Sequence, residues 1–140
     1  MSDQYTLKQV EILGGVLEYI YIPGEKDLPT LVMLHEGLGS ISTWKEFPKQ
    51  ISNTIHNPIL LYSRHGYGSS SFIKQRFCSS YMHDEALKVL PALISRLQLD
   101  RIILYGHSDG ASIAAIFAGS KPTPIIEAVI LEAPHVFVEE

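Results

Sequence analysis

The chain contains one cysteine, Cys78, in 140 residues, so it forms no intrachain disulfide and no cysteine-based structural zinc site. No uncharged run approaches the ~20 apolar residues that a membrane-spanning helix requires. Positive charge is not in excess: 11 Lys and Arg stand against 15 Asp and Glu, a formal net charge of −4. That balance excludes nucleic acid and anionic membranes as expected partners, since both call for a basic surface. The first residues, MSDQYTLKQVEILGG, have neither the basic n-region nor the apolar core of a signal peptide, and the expected compartment is the cytoplasm. No Gly-x-Gly-x-x-Gly opens a helix after a strand and no Gly-x4-Gly-Lys-Ser/Thr occurs, which sets aside a nucleotide-binding domain. No ligand cluster suggests a metal, and no cofactor is expected.

What is present has the composition of a globular protein, with 46% hydrophobic and 19% charged residues. The length suits one domain. Leu7 to Leu13 and Gly15 to Ile22 read as amphipathic strands joined tightly through Gly14-Gly15, a β-hairpin. A turn over Pro23 to Pro29 follows. Thr30 to Leu34 (TLVML) is wholly apolar, the mark of a strand buried on both faces. The pattern then alternates: a helix over Ser42 to Ser52, a strand at Ile59 to Tyr62, and a Gly/Ser-rich loop from Ser63 to Ser71. A longer helix runs from about Ser80 to Gln98, in which Pro91 should introduce a kink. After it come a strand at Arg101 to Tyr105, a small-residue helix from Ala111 to Ala118 stopped by Gly119, and a last strand at Glu127 to Glu132. Alternation of strand and helix means parallel βαβ units. The expected fold class is α/β: a mostly parallel sheet with helices on both faces and an antiparallel hairpin at one edge.

The most informative segment is Tyr105-Gly106-His107-Ser108-Asp109-Gly110-Ala111. Composition alone produces a Gly-x-Ser-x-Gly spacing in roughly one chain of this size in twenty, so its position decides. It lies directly after a buried strand and directly before a small-residue helix, the setting of a nucleophile elbow. The serine of such a turn is strained, and β-carbons two residues to either side would obstruct it. The helix that follows presents its free N-terminal amides to the same point. The Asp109 N–H is then a candidate oxyanion donor. The plainer alternative is a serine that caps a helix.

Two further loops follow predicted strands: Leu34-His35-Glu36-Gly37-Leu38-Gly39-Ser40, and Ser63-Arg64-His65-Gly66-Tyr67-Gly68-Ser69-Ser70. Together with the elbow they make the chain resemble the α/β-hydrolase superfamily, most closely its small-molecule esterases and carbon–carbon-bond hydrolases. The first loop is similar to the family's His-Gly-x-x-Gly segment. The resemblance implies a second oxyanion donor at the Gly37 N–H, with Leu38 the fallback. The second loop is similar to Asp-x-Arg-Gly-x-Gly-x-Ser. Four positions depart from the pattern, among them Asp109, an unusual polar choice after the serine, though a carboxylate in the first turn of a helix is favourable. Glu36 brings a carboxylate beside the expected oxyanion site. Ser63 and His65 stand where the family carries Asp and Arg.

A serine hydroxyl needs a base, and the base an orienting carboxylate. In this superfamily the order is nucleophile, acid, histidine, with the acid after the seventh strand and the histidine after the eighth. The resemblance therefore implies that residues 1–140 form the N-terminal portion of an α/β-hydrolase domain, strands one to six, without the cap and the last two strands. Of the six histidines, His107 lies in the elbow with its side chain expected to face away from the serine, and His35 is expected to make structural hydrogen bonds. His56, His65 and His83 are expected on solvated surfaces. His135 follows the sixth strand at the sheet edge where α/β folds place their sites, and is the substitute base to consider, with Glu132 its orienter. The alternative is a structural exit from the strand. Trp44, Phe47 and Tyr81 are expected to pack, and Cys78 shows no sign of activation.

The expected function is that of a serine hydrolase-like protein taking a small acyl or ester substrate through Ser108, impaired for want of acid and histidine. The competing reading is a non-catalytic fragment or interaction module. Without a partner on its outer side, Ala128 to Leu131 would be an apolar strand with free backbone groups. That edge would pair with a second copy of the chain or with a complementing C-terminal half.

Overall fold

The structure is a computed structural model and describes residues 5–73 and 78–136. Six strands form one sheet in the order β1-β2-β4-β3-β5-β6. They are β1 (Lys8–Ile12), β2 (Gly15–Ile22), β3 (Thr30–Leu34), β4 (Ile59–Tyr62), β5 (Arg101–His107) and β6 (Ile125–Glu132). β1 pairs antiparallel with β2, and β2 antiparallel with β4. β4, β3, β5 and β6 run parallel. The class expected from the alternation is the one observed. The hairpin turn sits on Leu13 (φ 50°) and Gly14 (φ 80°). Two successive positive φ angles give the turn that matches strand twist.

Each central strand divides its side chains between two cores. Val32, Leu34, Leu60, Tyr62, Ile102 and Leu104 face one way and pack with Leu90, Leu93, Ile113 and Phe117. Leu31, Met33, Ile59 and Leu61 face the other way and pack with Ile41, Trp44, Ile51 and Ile55. Period-two alternation within an unbroken apolar run produces this two-sided burial. The helices α1 (Phe47–Ile55), α2 (Tyr81–Asp84), α3 (Leu90–Arg96) and α4 (Asp109–Gly119) supply the covering layers, α1 on the second face and α3 and α4 on the first.

Three details differ from the sequence expectation, each for a local reason. The helix expected over Ser42 to Ser52 is split. A 3₁₀ turn occupies Ile41–Trp44, capped by Ser40, and α1 starts only at Phe47 with Pro48 in its first turn. Lys45, at φ 50°, breaks the path between them. The kink expected at Pro91 is taken up as a π turn, Glu85–Val89, between α2 and α3. The Leu90 N–H reaches back to the Glu85 carbonyl. That wider turn suits the residue ahead of a proline, whose ring would collide with the carbonyl four residues back. At the end of α4, Gly119 is still helical and the left-handed residue is Lys121 (φ 55°).

β6 pairs with β5 on one side, and no strand pairs its other edge among the described residues. Ile125, Val129, Ile130 and Leu131 are all exposed on it. No helix among the described residues is long and apolar enough to cross a membrane.

Candidate active site

β5 ends at His107, and the next residue, Ser108, turns the chain into α4 with φ 56° and ψ −117°. A residue with a β-carbon at this φ costs on the order of 1–3 kcal/mol. The surroundings hold it there. The Ser108 N–H donates to the Glu132 carbonyl (2.8 Å), extending the β5–β6 ladder by one rung, and the Ser108 carbonyl accepts from the Ala111 N–H (2.9 Å) and the Ser112 N–H (3.1 Å). The two glycines are required by close approach. A β-carbon on Gly106 would strike the Gly110 carbonyl, and one on Gly110 would strike the Leu34 carbonyl. Ser108 therefore stands at the head of α4, where the first amides lack intrahelical acceptors. The Asp109 N–H makes no hydrogen bond among the described residues.

The loop after β3 lies against this turn. A β-carbon on Gly37 would come within 2.8 Å of Asp109 Oδ2, and the Gly37 N–H makes no hydrogen bond among the described residues. The Leu38 N–H, by contrast, donates to Glu36 Oε2 (2.8 Å). The Glu36 carboxylate is thus held within its own loop.

Arg64 and His35 brace that loop from below. The Arg64 guanidinium donates to the His35 carbonyl (2.6 Å) and the Glu36 carbonyl (2.9 Å), and it stacks over Tyr67 at 5.4 Å. The Arg64 backbone N–H donates to His35 Nε2 (3.0 Å). That nitrogen must then be the acceptor, so Nδ1 carries the proton and donates to the Glu36 carbonyl at 2.8 Å. Burial, reinforced by the neighbouring Arg64 charge, pushes the His35 pKa down to about 3, against a smaller upward pull from the Glu36 bond. His35 is a neutral strut at ordinary pH.

Ser63, standing where the resemblance expects an aspartate, donates to the buried Glu18 (2.6 Å) and accepts from the Ile41 N–H (2.9 Å). His65, expected on the surface, is 1% exposed. It lies beneath the hairpin, where a β-carbon on Gly15 would approach its Nε2 to 2.9 Å. The reversal follows from the loop folding back under β2 rather than into solvent.

His135 lies over the elbow. Its Nε2 is 2.7 Å from Ser108 Oγ and 3.8 Å from Asp109 Oδ1. Its backbone is held by Ser112, whose Oγ accepts from the His135 N–H and donates to the His135 carbonyl, both at 2.8 Å. Glu132, considered above as its orienter, does not meet it. The Glu132 carboxylate accepts the Tyr105 hydroxyl, and burial together with that bond pushes the Tyr105 pKa up to about 12. The carboxylate near His135 belongs to Asp109, which also accepts from the Tyr81 hydroxyl at 2.5 Å. Burial first, then Asp109, moves the Tyr81 pKa well above the ordinary tyrosine value.

Tyr81, expected only to pack, instead hydrogen-bonds Asp109, and the sequence reading assigns no role to Ser112 or Arg64. For Ser112 a signal existed: it lies four residues after Ser108, hence on the same face of α4. Trp44 and Phe47 stack on each other and meet Tyr105 at tilted angles, as packing residues do. A groove of about 1010 Å³ between the ends of α3 and α4, near Phe117, Lys121 and Ile125, opens at the opposite end of the sheet from Ser108.

A strained serine between β5 and α4, with two glycines at contact distance, places the molecule among α/β folds with a sharp strand–helix turn at the sheet's C-terminal edge. The sequence profile of the alpha/beta hydrolase fold matches residues 29–140, and the chain belongs to that family. It is 28% identical over 121 residues to a proline iminopeptidase of Lactobacillus delbrueckii subsp. lactis, covering 86% of this chain and 41% of that protein. It is 31% identical over 120 residues to one from Lactobacillus helveticus, covering 85% of this chain and 40% of that protein. In solved structures, a haloalkane dehalogenase from Bradyrhizobium elkani superposes with a TM-score of 0.78 at 21% identity, over 94% of this chain and 42% of its own. The thioesterase domain from the curacin biosynthetic pathway superposes at 0.75 and 22% identity, over 99% and 49%. The chain thus spans about two-fifths of the length of the curated relatives it matches.

Proposed function

We propose that Ser108 is the nucleophile of a serine hydrolase acting on small ester or related acyl substrates, with His135 as its base. The observation that carries this reading is the 2.7 Å contact between Ser108 Oγ and His135 Nε2 at the head of α4. In the first step the Oγ proton passes to Nε2 as the Oγ–carbon bond forms, and the carbonyl electron pair moves onto its oxygen. The amides of Gly37 and Asp109 are the proposed donors to that oxyanion. Collapse returns the pair, and the leaving group departs with the proton from Nε2. Water then repeats the sequence on the acyl-enzyme, releasing the acid and restoring the serine. The Asp109 carboxylate, 3.8 Å from Nε2, stabilises the imidazolium that forms.

The 140-residue polypeptide should be a slow catalyst. The His135 side chain is 58% exposed, and among the described residues no carboxylate binds its Nδ1. Treatment with a fluorophosphonate tests the reading. The expected result is slow, stoichiometric modification of Ser108, with an Oγ–phosphorus bond formed and fluoride released, and none in Ser108→Ala. Absence of modification contradicts the nucleophile, and modification as fast as in a complete hydrolase contradicts the impairment. Because the matched relatives are named proline iminopeptidases, a prolyl amide is the first substrate to assay beside simple esters.

A second reading, association through β6, is favoured by the four exposed apolar side chains on that strand. Such an edge pairs with added strands, from a second copy or from a C-terminal half of the fold. Light scattering after size exclusion tests it, and a monomer that takes up no complementing half contradicts it.

A further inference from the structure

We infer that Ser112 is a positioning residue that sets His135 over Ser108. This rests on the reading of Ser108 and His135 given above and adds to it the part that holds the base in place. The His135 ring is largely solvent-exposed, and no partner among the described residues orients it through Nδ1. Its placement must therefore come from its backbone. The chain leaves β6 through Ala133 at φ 50° and then Pro134. Ala133 carries a β-carbon at a positive φ, which is sterically unfavourable. The residue ahead of a proline is also sterically restricted. A turn of this kind persists only if later contacts hold it.

The contacts that do so converge on one oxygen. Ser112 Oγ accepts from the His135 N–H and donates to the His135 carbonyl, both at 2.8 Å. Both backbone groups of His135 are thereby satisfied by one side chain. Ser112 is only 5% exposed, one helical turn beyond Ser108 on α4, and a serine has few rotamers with which to let go. The nucleophile and the anchor of its base thus sit on the same helix face, so the Oγ–Nε2 distance is set by α4.

The test is the rate of Ser108 modification by a fluorophosphonate across pH, read in the 140-residue chain. Ser112→Ala removes both bonds. It should slow modification by between about tenfold and a hundredfold, the effect of displacing a catalytic group by roughly an ångström. It should also flatten the part of the pH profile that His135→Ala abolishes. Ser112→Thr, which keeps the hydroxyl, should restore most of the rate. In the His135→Ala background, Ser112→Ala should change nothing further. Equal slowing in both backgrounds would show a general packing role and overturn the inference, as would an unchanged rate in Ser112→Ala. If Ser112→Ala does not fold, Ser112→Cys, near in size but a poor hydrogen-bonding partner, is held to the same outcomes. Should His135→Ala itself leave the rate and profile unchanged, the base assignment fails, a result separate from any behaviour of Ser112.

Discussion

The Tyr81 hydroxyl donates a 2.5 Å hydrogen bond to Asp109 Oδ2, leaving the other carboxylate oxygen 3.8 Å from His135 Nε2. The start of the α2–α3 helical segment is thereby tied to the residue that follows Ser108. It also aims a fixed negative charge at the place where an imidazolium would form. An unscreened pair at this separation would be worth several kcal/mol, but His135 is 58% exposed. Solvent therefore holds the interaction to about 1 kcal/mol.

Asp109→Asn should accordingly slow fluorophosphonate modification of Ser108 by roughly fivefold, with little change in unfolding midpoint. Tyr81→Phe should give a smaller loss. It should also remove one tyrosine from the group that stays protonated above pH 11 in an alkaline absorbance titration. An Asp109→Asn protein that reacts faster would show the carboxylate opposing the oxyanion instead.

The His35 pKa, about 3 when folded against 6.5 in an unfolded chain, makes stability depend on acid. Between these values the unfolded chain binds a proton that the folded one does not. The His35 contribution is complete above pH 6.5 and is lost as pH falls toward 3, by at most about 1.4 kcal/mol per pH unit. Urea unfolding of the wild type and His35→Gln from pH 7 to pH 4 isolates it. The wild type should lose stability more steeply, and parallel curves would contradict the assignment.

Arg64 donates from one buried guanidinium to two successive carbonyls of the β3 loop. Charge-assisted bonds contribute about 1.5–3 kcal/mol each, so Arg64→Met should cost about 3–5 kcal/mol in urea unfolding. Arg64→Lys, which lacks the fork, should recover only part. Both should slow modification of Ser108 if the loop carries an oxyanion donor.

Gly110→Ala forces a β-carbon onto the Leu34 carbonyl, with backbone on both sides of the contact. It should destabilise the chain by about 2–4 kcal/mol and abolish modification of Ser108. Gly119→Ala, where a β-carbon meets nothing within 4 Å, should be neutral or stabilising, and a similar loss at both positions would contradict the close-approach explanation.

What the sequence made legible and what it hid divide along a physical line. β3 and β4 have the bounds expected for them, Thr30–Leu34 and Ile59–Tyr62, because an apolar run buried on both faces is marked at each end by a change of polarity. The sharp strand–helix turn at Ser108 was readable because sterics demand its two glycines. Pro91 announced a disturbance of its helix but not the form it takes, a π turn, and nothing in the sequence announced the break at Lys45. The Ser112–His135 contact lay furthest out of reach. It spans 23 residues and depends on a left-handed alanine that nothing in the pattern announces. Glu132 was the carboxylate nearest to His135 in sequence, but strand geometry turns it toward Tyr105.

The pairing of Ser108 with His135 is tested most directly by the second-order rate of fluorophosphonate modification, with the modified residue mapped by mass spectrometry, in the wild type and in His135→Ala. The expected outcome is a label on Ser108 in both proteins, formed at least tenfold more slowly without the imidazole. Equal rates, or a label on any other residue, would contradict the proposed nucleophile and base.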